Sequence, residues 1–598
     1  MLPKLPQTIC SQRLFFWLIV ASVICAGPLH AQNTAPITVC PRSAPGSIIA
    51  EPDDLRSQNG ELKVQLTFRR SADANGSARF CYLDQHGHES PNLRVHPGDL
   101  LIITLKNEAP SSPGSEMAPM SHLAGTPDAH TPDDHTPDDH CAGLAMTATS
   151  TNLHFHGLMI PPSCHEDDVI RTVIEPGAAP FEYRVRIPRD QPPGLYWYHP
   201  HIHGFSKNQV LGGASGALIV EGMENVNQAV AGAHERVLVI RDQDLVNPNA
   251  APPPSASGKP AVVIRDREGD PINTGDGTGK PAKDLSLNFV TVPFPNYPPA
   301  VIEMKPTEQQ LWRVLNASAI TYLNLQVLVD GVPQILGVVG VDGVPLNQKG
   351  GAHSRILWED HLGMAPGGRM EFLFKAPPEG MQATLVTRSV NTGPGGENDP
   401  TRPLATVIVK ATAPEPRSAL SALPLPAPPS SLPWLGDVAP ARTRKLYFSE
   451  TLQDPNDPNS PTTFYLTAEG QTPKPFDPNS RTPNIVVHQG DVEDWIIENR
   501  SQELHDFHIH QVHYLMLEWN GMQVNEPFLR DTVNVPFWDG KSPIYPSVKL
   551  RVDFRDPDIV GIFPYHCHLL EHEDGGMMGL VEVKPRESSS SVAHNQSQ

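Results

Sequence analysis

The sequence predicts an all-β protein built from three β-sandwich units, on three observations. A pattern recurs three times at domain-sized spacing: residues 93–107 read LRVHPGDLLIITLKN, 302–316 read IEMKPTEQQLWRVLN and 485–499 read IVVHQGDVEDWIIEN, aligned without a gap. Pro (65) and Gly (45) are frequent among short runs of Val, Ile, Leu and Thr, which suits many strands joined by turns. Period-two alternation, as in Leu323-Asn324-Leu325-Gln326-Val327, gives a strand one inward and one outward face.

Each repeat copy reads as a strand, a tight turn and a second strand ending in Asn. The middle copy lacks the Pro-Gly-Asp turn, which suggests that the second unit has diverged. The expected organisation is a first domain at 38–225, a second at 234–412 and a third at 441–585. A Pro-, Ala- and Ser-rich linker is expected at 413–440, and a disordered polar tail at 586–598.

The N-terminus reads as a targeting segment. Lys4 and Arg13 precede or flank an apolar run at 14–26. That run falls short of the ~20 residues of a membrane span. Residues 1–31 are therefore expected to be a cleaved signal, leaving no membrane anchor and an exported, periplasmic or extracellular protein. Of seven cysteines, Cys10 and Cys25 leave with it. Cys40, Cys81, Cys141 and Cys164 allow three pairings, of which proximity alone favours Cys40–Cys81 and Cys141–Cys164. Cys567 is left over. With 45 basic and 66 acidic side chains and a formal charge of -21, the chain is unsuited to nucleic acid or an anionic membrane. A monomer that accepts neutral or cationic small molecules is expected.

Four histidine clusters carry the chemistry. The first unit holds His154-Phe155-His156-Gly157 and His199-Pro200-His201. The third holds His505-Asp506-Phe507-His508-Ile509-His510 and His566-Cys567-His568, followed by His572 and Met577. On a strand, alternate side chains share a face, so each His-x-His can present two imidazoles to one site. A thiolate with two histidines and a weak methionine is the donor set of a blue copper centre. Cys567 must point away from His566 and His568, so one strand touches two metal sites.

These motifs, in this order and covering nearly all of the mature chain, resemble the three-domain multicopper oxidases, the family of laccases, cuprous oxidases and bilirubin oxidases. The resemblance implies three cupredoxin-like Greek-key domains and four copper ions per chain. The type 1 copper would take His505, Cys567 and His572, with Met577 axial. The type 2 copper would take His154 and His508, and the type 3 pair His156, His199, His201, His510, His566 and His568. The implied activity is one-electron oxidation of a small reducing substrate or metal ion, coupled to reduction of dioxygen to water. Asp167, or its neighbour Asp168, and Glu573 would carry protons to the cluster. Substrate electrons would arrive through an exposed edge of a type 1 histidine. Asp506 stands where many relatives have Pro and is expected to place a carboxylate near that edge. His203 and His513 extend the motifs as supporting or solvated residues.

The reducing substrate stays open between a phenol, a cuprous or ferrous ion and a bilirubin-like pigment. A copper carrier would not need eight paired histidines, and a copper nitrite reductase normally has two-domain subunits and fewer histidines. The segment 122–140, including HTPDDHTPDDH, reads as a solvated loop or a weak collector of divalent metal.

Overall fold

The computed structural model describes residues 39–73, 76–110, 140–143, 145–251, 277–346, 356–423, 432–454 and 460–586. The signal segment, nearly all of 122–140 and the tail beyond 586 lie outside these residues. Strands and turns dominate, and the longest helix among the described residues, Ser206–Leu211, has six residues. None of the described helices is long and apolar enough to cross a membrane.

Six sheets form three sandwiches. In the first, a five-stranded sheet ending in Gly194–His199 and His154–His156 faces a four-stranded sheet that contains Leu100–Asn107. A nine-stranded and a six-stranded sheet make the middle sandwich. In the last, a six-stranded sheet faces a five-stranded one in which Gly561–Cys567 lies between Met578–Lys584 and His505–Ile509. Each sandwich closes on its own apolar core, around Phe68 and Leu105, Trp312 and Phe372, and Trp495 and Phe507 respectively.

The repeat has the same job in all three. Its two strands never pair with each other, because the first joins one sheet and the second joins the facing sheet, so the turn crosses between layers. In the outer copies Asp99 and Asp491 close that turn by accepting the amide N–H of His96 and His488, at 2.7 and 3.2 Å. Their glycines, Gly98 and Gly490, take positive φ. The middle copy keeps the geometry with other residues: Glu308 accepts the Lys305 N–H at 2.9 Å and Thr307 sits at φ +58°. A β-branched residue there costs about 1–2 kcal/mol, so the divergence is in sequence and not in shape.

The terminal asparagines are equally consistent. Asn107, Asn316 and Asn499 are buried, and each donates its amide to one backbone carbonyl of the segment that follows and to one or two more from further along the chain. Each also accepts from the backbone N–H two residues on. An Asx turn thus fixes where every second strand ends.

The segment at 413–440 is tethered at both ends. Ser418–Ala419 pairs with the strand His234–Gln243, and Leu435 packs on Val492 and Leu515 of the last sandwich. Near the other end of the chain, Ser43 and Ile48 bridge to Val290 and Val301 of the middle sandwich. Disulfides join Cys40 to Cys81 and Cys141 to Cys164, and Cys567 is free and buried. On a chain-entropy basis each bridge contributes about 3–4 kcal/mol.

Candidate metal centre

Alternation along two neighbouring strands divides the donors between two sites. His505–Ile509 pairs antiparallel with Gly561–Cys567, with Phe507 opposite Cys567 and His508 opposite His566. Cys567 Sγ lies 3.5 Å from His505 Nδ1 and 3.6 Å from His572 Nδ1. The short helix Leu570–Asp574 presents His572, and the Cys567 N–H donates to the carbonyl of Met577, whose side chain is fully buried.

On the opposite face, His508, His510, His566 and His568 meet His154, His156, His199 and His201 of the first sandwich. His201 and His510 place Nε2 3.4 and 3.2 Å from His566 Nε2. The His156 and His568 rings lie 5.0 Å apart, and His154 lies 5.9 Å from His508. All eight are buried. Burial, reinforced by the neighbouring imidazoles, holds their pKa values below the ordinary range, to about 3 for His199 and about 4 for His566. Neutral rings keep a lone pair for a metal.

Three of the rings have their other nitrogen occupied in a way that suits ligation. His154 Nδ1 faces Asp167 at 3.0 Å, and the Nδ1–H of His199 and of His508 donates to the carbonyls of Pro200 and Asp531 at 3.0 and 2.8 Å. The Nε2 atoms of these three rings are buried without a hydrogen-bond partner among the described residues. An unpaired buried nitrogen is costly unless something binds it, and clusters of such nitrogens are what copper ions would satisfy. The donor sets therefore fit the metals expected from the sequence: three or more donor atoms lie within 4.8 Å of one another in His154/His508/His510, His201/His510/His566 and His505/Cys567/His572.

Three carboxylates touch the histidine cluster: Asp531, 3.3 Å from His156 Nε2, and the two that the sequence points to. Asp167 contacts His154, accepts the Phe155 N–H at 2.9 Å and accepts from Gln511 Nε2. Asp168, the alternative, instead pairs with Arg171 at 2.6 Å. Glu573 lies 3.6 Å from both His201 Nδ1 and His566 Nδ1 and accepts from Ser206 Oγ at 3.3 Å. Burial pushes both carboxyls well above the usual range, so each can hold a proton beside the cluster.

Two expectations change. Asp506 is fully buried, and its charged neighbours are Asp342, Asp531 and Arg369. Period two puts it on the face of His508 and not on that of His505. The thiolate-site histidines have no exposed edge, since His505 is 0% and His572 2% exposed. Carboxylates cover them instead: Glu450 lies 3.3 Å from His505 Nε2 and Glu503 3.2 Å from His572 Nε2. Burial and the neighbouring carboxylates of Glu450 and Glu397 push Glu503 up. His203 and His513 are held to about 4 by burial, and His513 Nε2 sits 3.7 Å from Asp531.

Sequence reasoning missed Gln511, which donates to Asp167, and Asp531, Glu450 and Glu503, which touch these rings from positions outside the histidine motifs. The last two sit on the strand Arg442–Leu452 and just after Asn499.

Comparison with known proteins agrees with this geometry. Residues 145–225 and 455–587, which hold all the candidate ligands, match family profiles described as Multicopper oxidase. The chain is 24% identical over 441 residues to multicopper oxidase mco of Staphylococcus haemolyticus, covering 73% of this chain and 77% of that one. It is 21% identical to a laccase of Bacillus subtilis, covering 66% and 72%. Among solved structures, a Campylobacter jejuni multicopper oxidase described as a metallo-oxidase superposes with a TM-score of 0.59 at 22% identity, covering 90% and 96%. McoA of Aquifex aeolicus superposes at 0.60 and 18% identity, covering 90% and 99%. The chain thus carries two multicopper oxidase domains, at 145–225 and 455–587, and is similar to multicopper oxidases over most of its length.

Proposed function

We propose that this chain couples one-electron oxidation of a reductant to four-electron reduction of dioxygen to water, holding four copper ions. The observation that carries the reading is the junction at 566–568. A single strand end presents a thiolate to one donor set and two imidazoles to the other, so a few covalent bonds link them. Copper, when bound, supplies the one-electron redox chemistry and the activation of dioxygen. His505, Cys567 and His572, with Met577 nearby, would hold the type 1 ion. His154 and His508 would hold the type 2 ion, and His156, His199, His201, His510, His566 and His568 the type 3 pair.

The protein's own contribution is orientation, exclusion of water and proton supply. Asp167 orients His154 and carries a proton at its carboxyl, and Glu573 does the same at the edge of His201 and His566. The buried aromatic Trp197 stacks on His199 at 4.1 Å and closes that side of the cluster.

Glu450 lies between the thiolate site and its surroundings with 23% side-chain exposure, and the imidazole beside it holds its carboxylate in the charged form against the cost of burial. A reductant approaching there meets negative charge, which favours a metal cation over a neutral phenol. We also propose export, on the two disulfides, which persist in oxidising compartments.

Replacing Cys567 with Ser tests the reading. The parent should be blue, because thiolate-to-copper charge transfer gives the colour, and Cys567→Ser should lose both the blue band and all substrate oxidation. A variant that stayed blue would place the type 1 site elsewhere.

A further inference from the structure

We propose that Arg369 and Asp531 are positioning residues that set the ring tautomer of His156, so that the middle sandwich, which supplies none of the candidate ligands, decides how one of them faces the metals. The inference rests on the copper reading above.

His156 is reversed relative to its neighbours. His154, His199 and His508 have Nδ1 engaged and Nε2 free. In His156, Nε2 lies 3.3 Å from Asp531 Oδ1, and Nδ1 is buried without a hydrogen-bond partner. A neutral imidazole carries its proton on one nitrogen only. If that proton sits on Nε2 and is donated to Asp531, the lone pair on Nδ1 is the one offered to the cluster.

Arg369 favours the charged, accept-only form of Asp531 by pairing with both its oxygens. Nη1 donates to Oδ1 at 2.7 Å and Nη2 to Oδ2 at 2.6 Å, in a bidentate pair with both side chains fully buried. The guanidinium is itself fixed, with Nη1 also donating to the Gly367 carbonyl at 3.0 Å and Nε to that of Leu195 at 3.2 Å. The same residue reaches a second ligand, since the Asp531 backbone carbonyl accepts from His508 Nδ1. Asp342, also of the middle sandwich, holds this stretch of backbone by accepting the N–H groups of Asp531 and Thr532, both at 3.3 Å.

The loop that carries Arg369 is built against the ligands. A Cβ on Gly367, whose φ is +79°, would lie 2.9 Å from His568 Cε1 and 3.2 Å from His156 Cε1. Only glycine lets this backbone approach both rings at a positive φ.

The test uses the full-length chain labelled with ¹⁵N in its histidines and prepared without copper, in which two-bond nitrogen–proton correlations report each ring's tautomer. His156, assigned by loss of its signal in His156→Gln, is expected to carry its proton on Nε2, while His154, His199 and His508 carry theirs on Nδ1. In Asp531→Ala and Arg369→Lys the His156 pattern should shift towards a mixture of tautomers. In the copper-loaded variants the near-ultraviolet absorption of the type 3 pair should fall with the blue band retained, because Cys567 is untouched. A proton on Nδ1 of His156 in the parent chain would overturn the proposal even if neither variant folds. So would folded variants whose His156 tautomer and type 3 absorption match the parent. Failure of the parent to bind copper at all would instead sink the copper reading and leave the tautomer result standing.

Discussion

Asp167 and Glu573 touch different rings of the same eight-imidazole cluster, and neither carboxyl pairs with a ring of the thiolate site among the described residues. Proton delivery should therefore fail separately from electron delivery. In Asp167→Asn and Glu573→Gln, substrate should still bleach the blue band without dioxygen, and reoxidation by dioxygen should slow by ~10²-fold, the usual scale for a lost proton carrier. Stopped-flow reoxidation checks this, and parent-like rates in both variants would make these carboxyls bystanders. Glu450 tests the other end. Glu450→Gln should lower kcat/KM for cuprous ion several-fold and leave a neutral phenol nearly unchanged; equal losses on both would assign Glu450 to the histidine geometry and not to the reductant. At this scale the sequence was most informative where chemistry demands a rare residue in a rigid pattern, as at 566–568. It was silent on Asp531 and Glu503, because a carboxylate that orients a ring needs only to arrive nearby in space, from any strand or loop. Asp506 was legible and misread: counting by twos from His505 places it with His508.

At the scale of elements, the three repeat copies show why a weak sequence pattern can specify a strong structural one. The turn accepts Pro-Gly-Asp, Gln-Gly-Asp or Pro-Thr-Glu because what it requires is one carboxylate on one amide and one residue at positive φ. The terminal Asn tolerates no such exchange, since only a side chain with both donor and acceptor can bind carbonyls and an amide at once. Asn499→Ala should cost about 2–3 kcal/mol, because it leaves the carbonyls of Glu503 and Val535 without that donor and the amide of Ser501 without its acceptor. Denaturant unfolding measures this. Because Ser501 Oγ also contacts His505 Nε2 at 2.7 Å, the blue band should shift as well. A loss below about 0.5 kcal/mol, with an unmoved band, would mean that the turn is held by its packing alone. The segment at 413–440 was legible as Pro-rich chain, but its anchoring was not, because a two-residue strand pairing leaves almost no pattern in a sequence.

Across the whole molecule, the sandwiches divide the work. The first and last supply the candidate ligands, and the middle one ties them together through fully buried charges. Besides Arg369 on Asp531, Arg94 of the first sandwich meets Glu235 of the middle one at 2.5 Å, and Glu235 in turn pairs with Arg313 at 2.6 Å. Charges so placed are costly unless all are paired, so they favour a single arrangement of the three units. That arrangement brings histidines as far as 414 positions apart, His154 and His568, into one cluster, a span the motifs implied by their order but did not locate in space. Its purpose, on this account, is to collect single electrons at Cys567 and deliver them together to dioxygen across the first and last sandwiches. The most direct measurement is the stoichiometry of turnover by the copper-loaded chain, with dioxygen uptake, peroxide and oxidised one-electron substrate followed together. The account predicts four equivalents of substrate oxidised per dioxygen consumed, with no peroxide released. Two equivalents per dioxygen with matching peroxide would contradict it, because the eight imidazoles would then not be working as one centre.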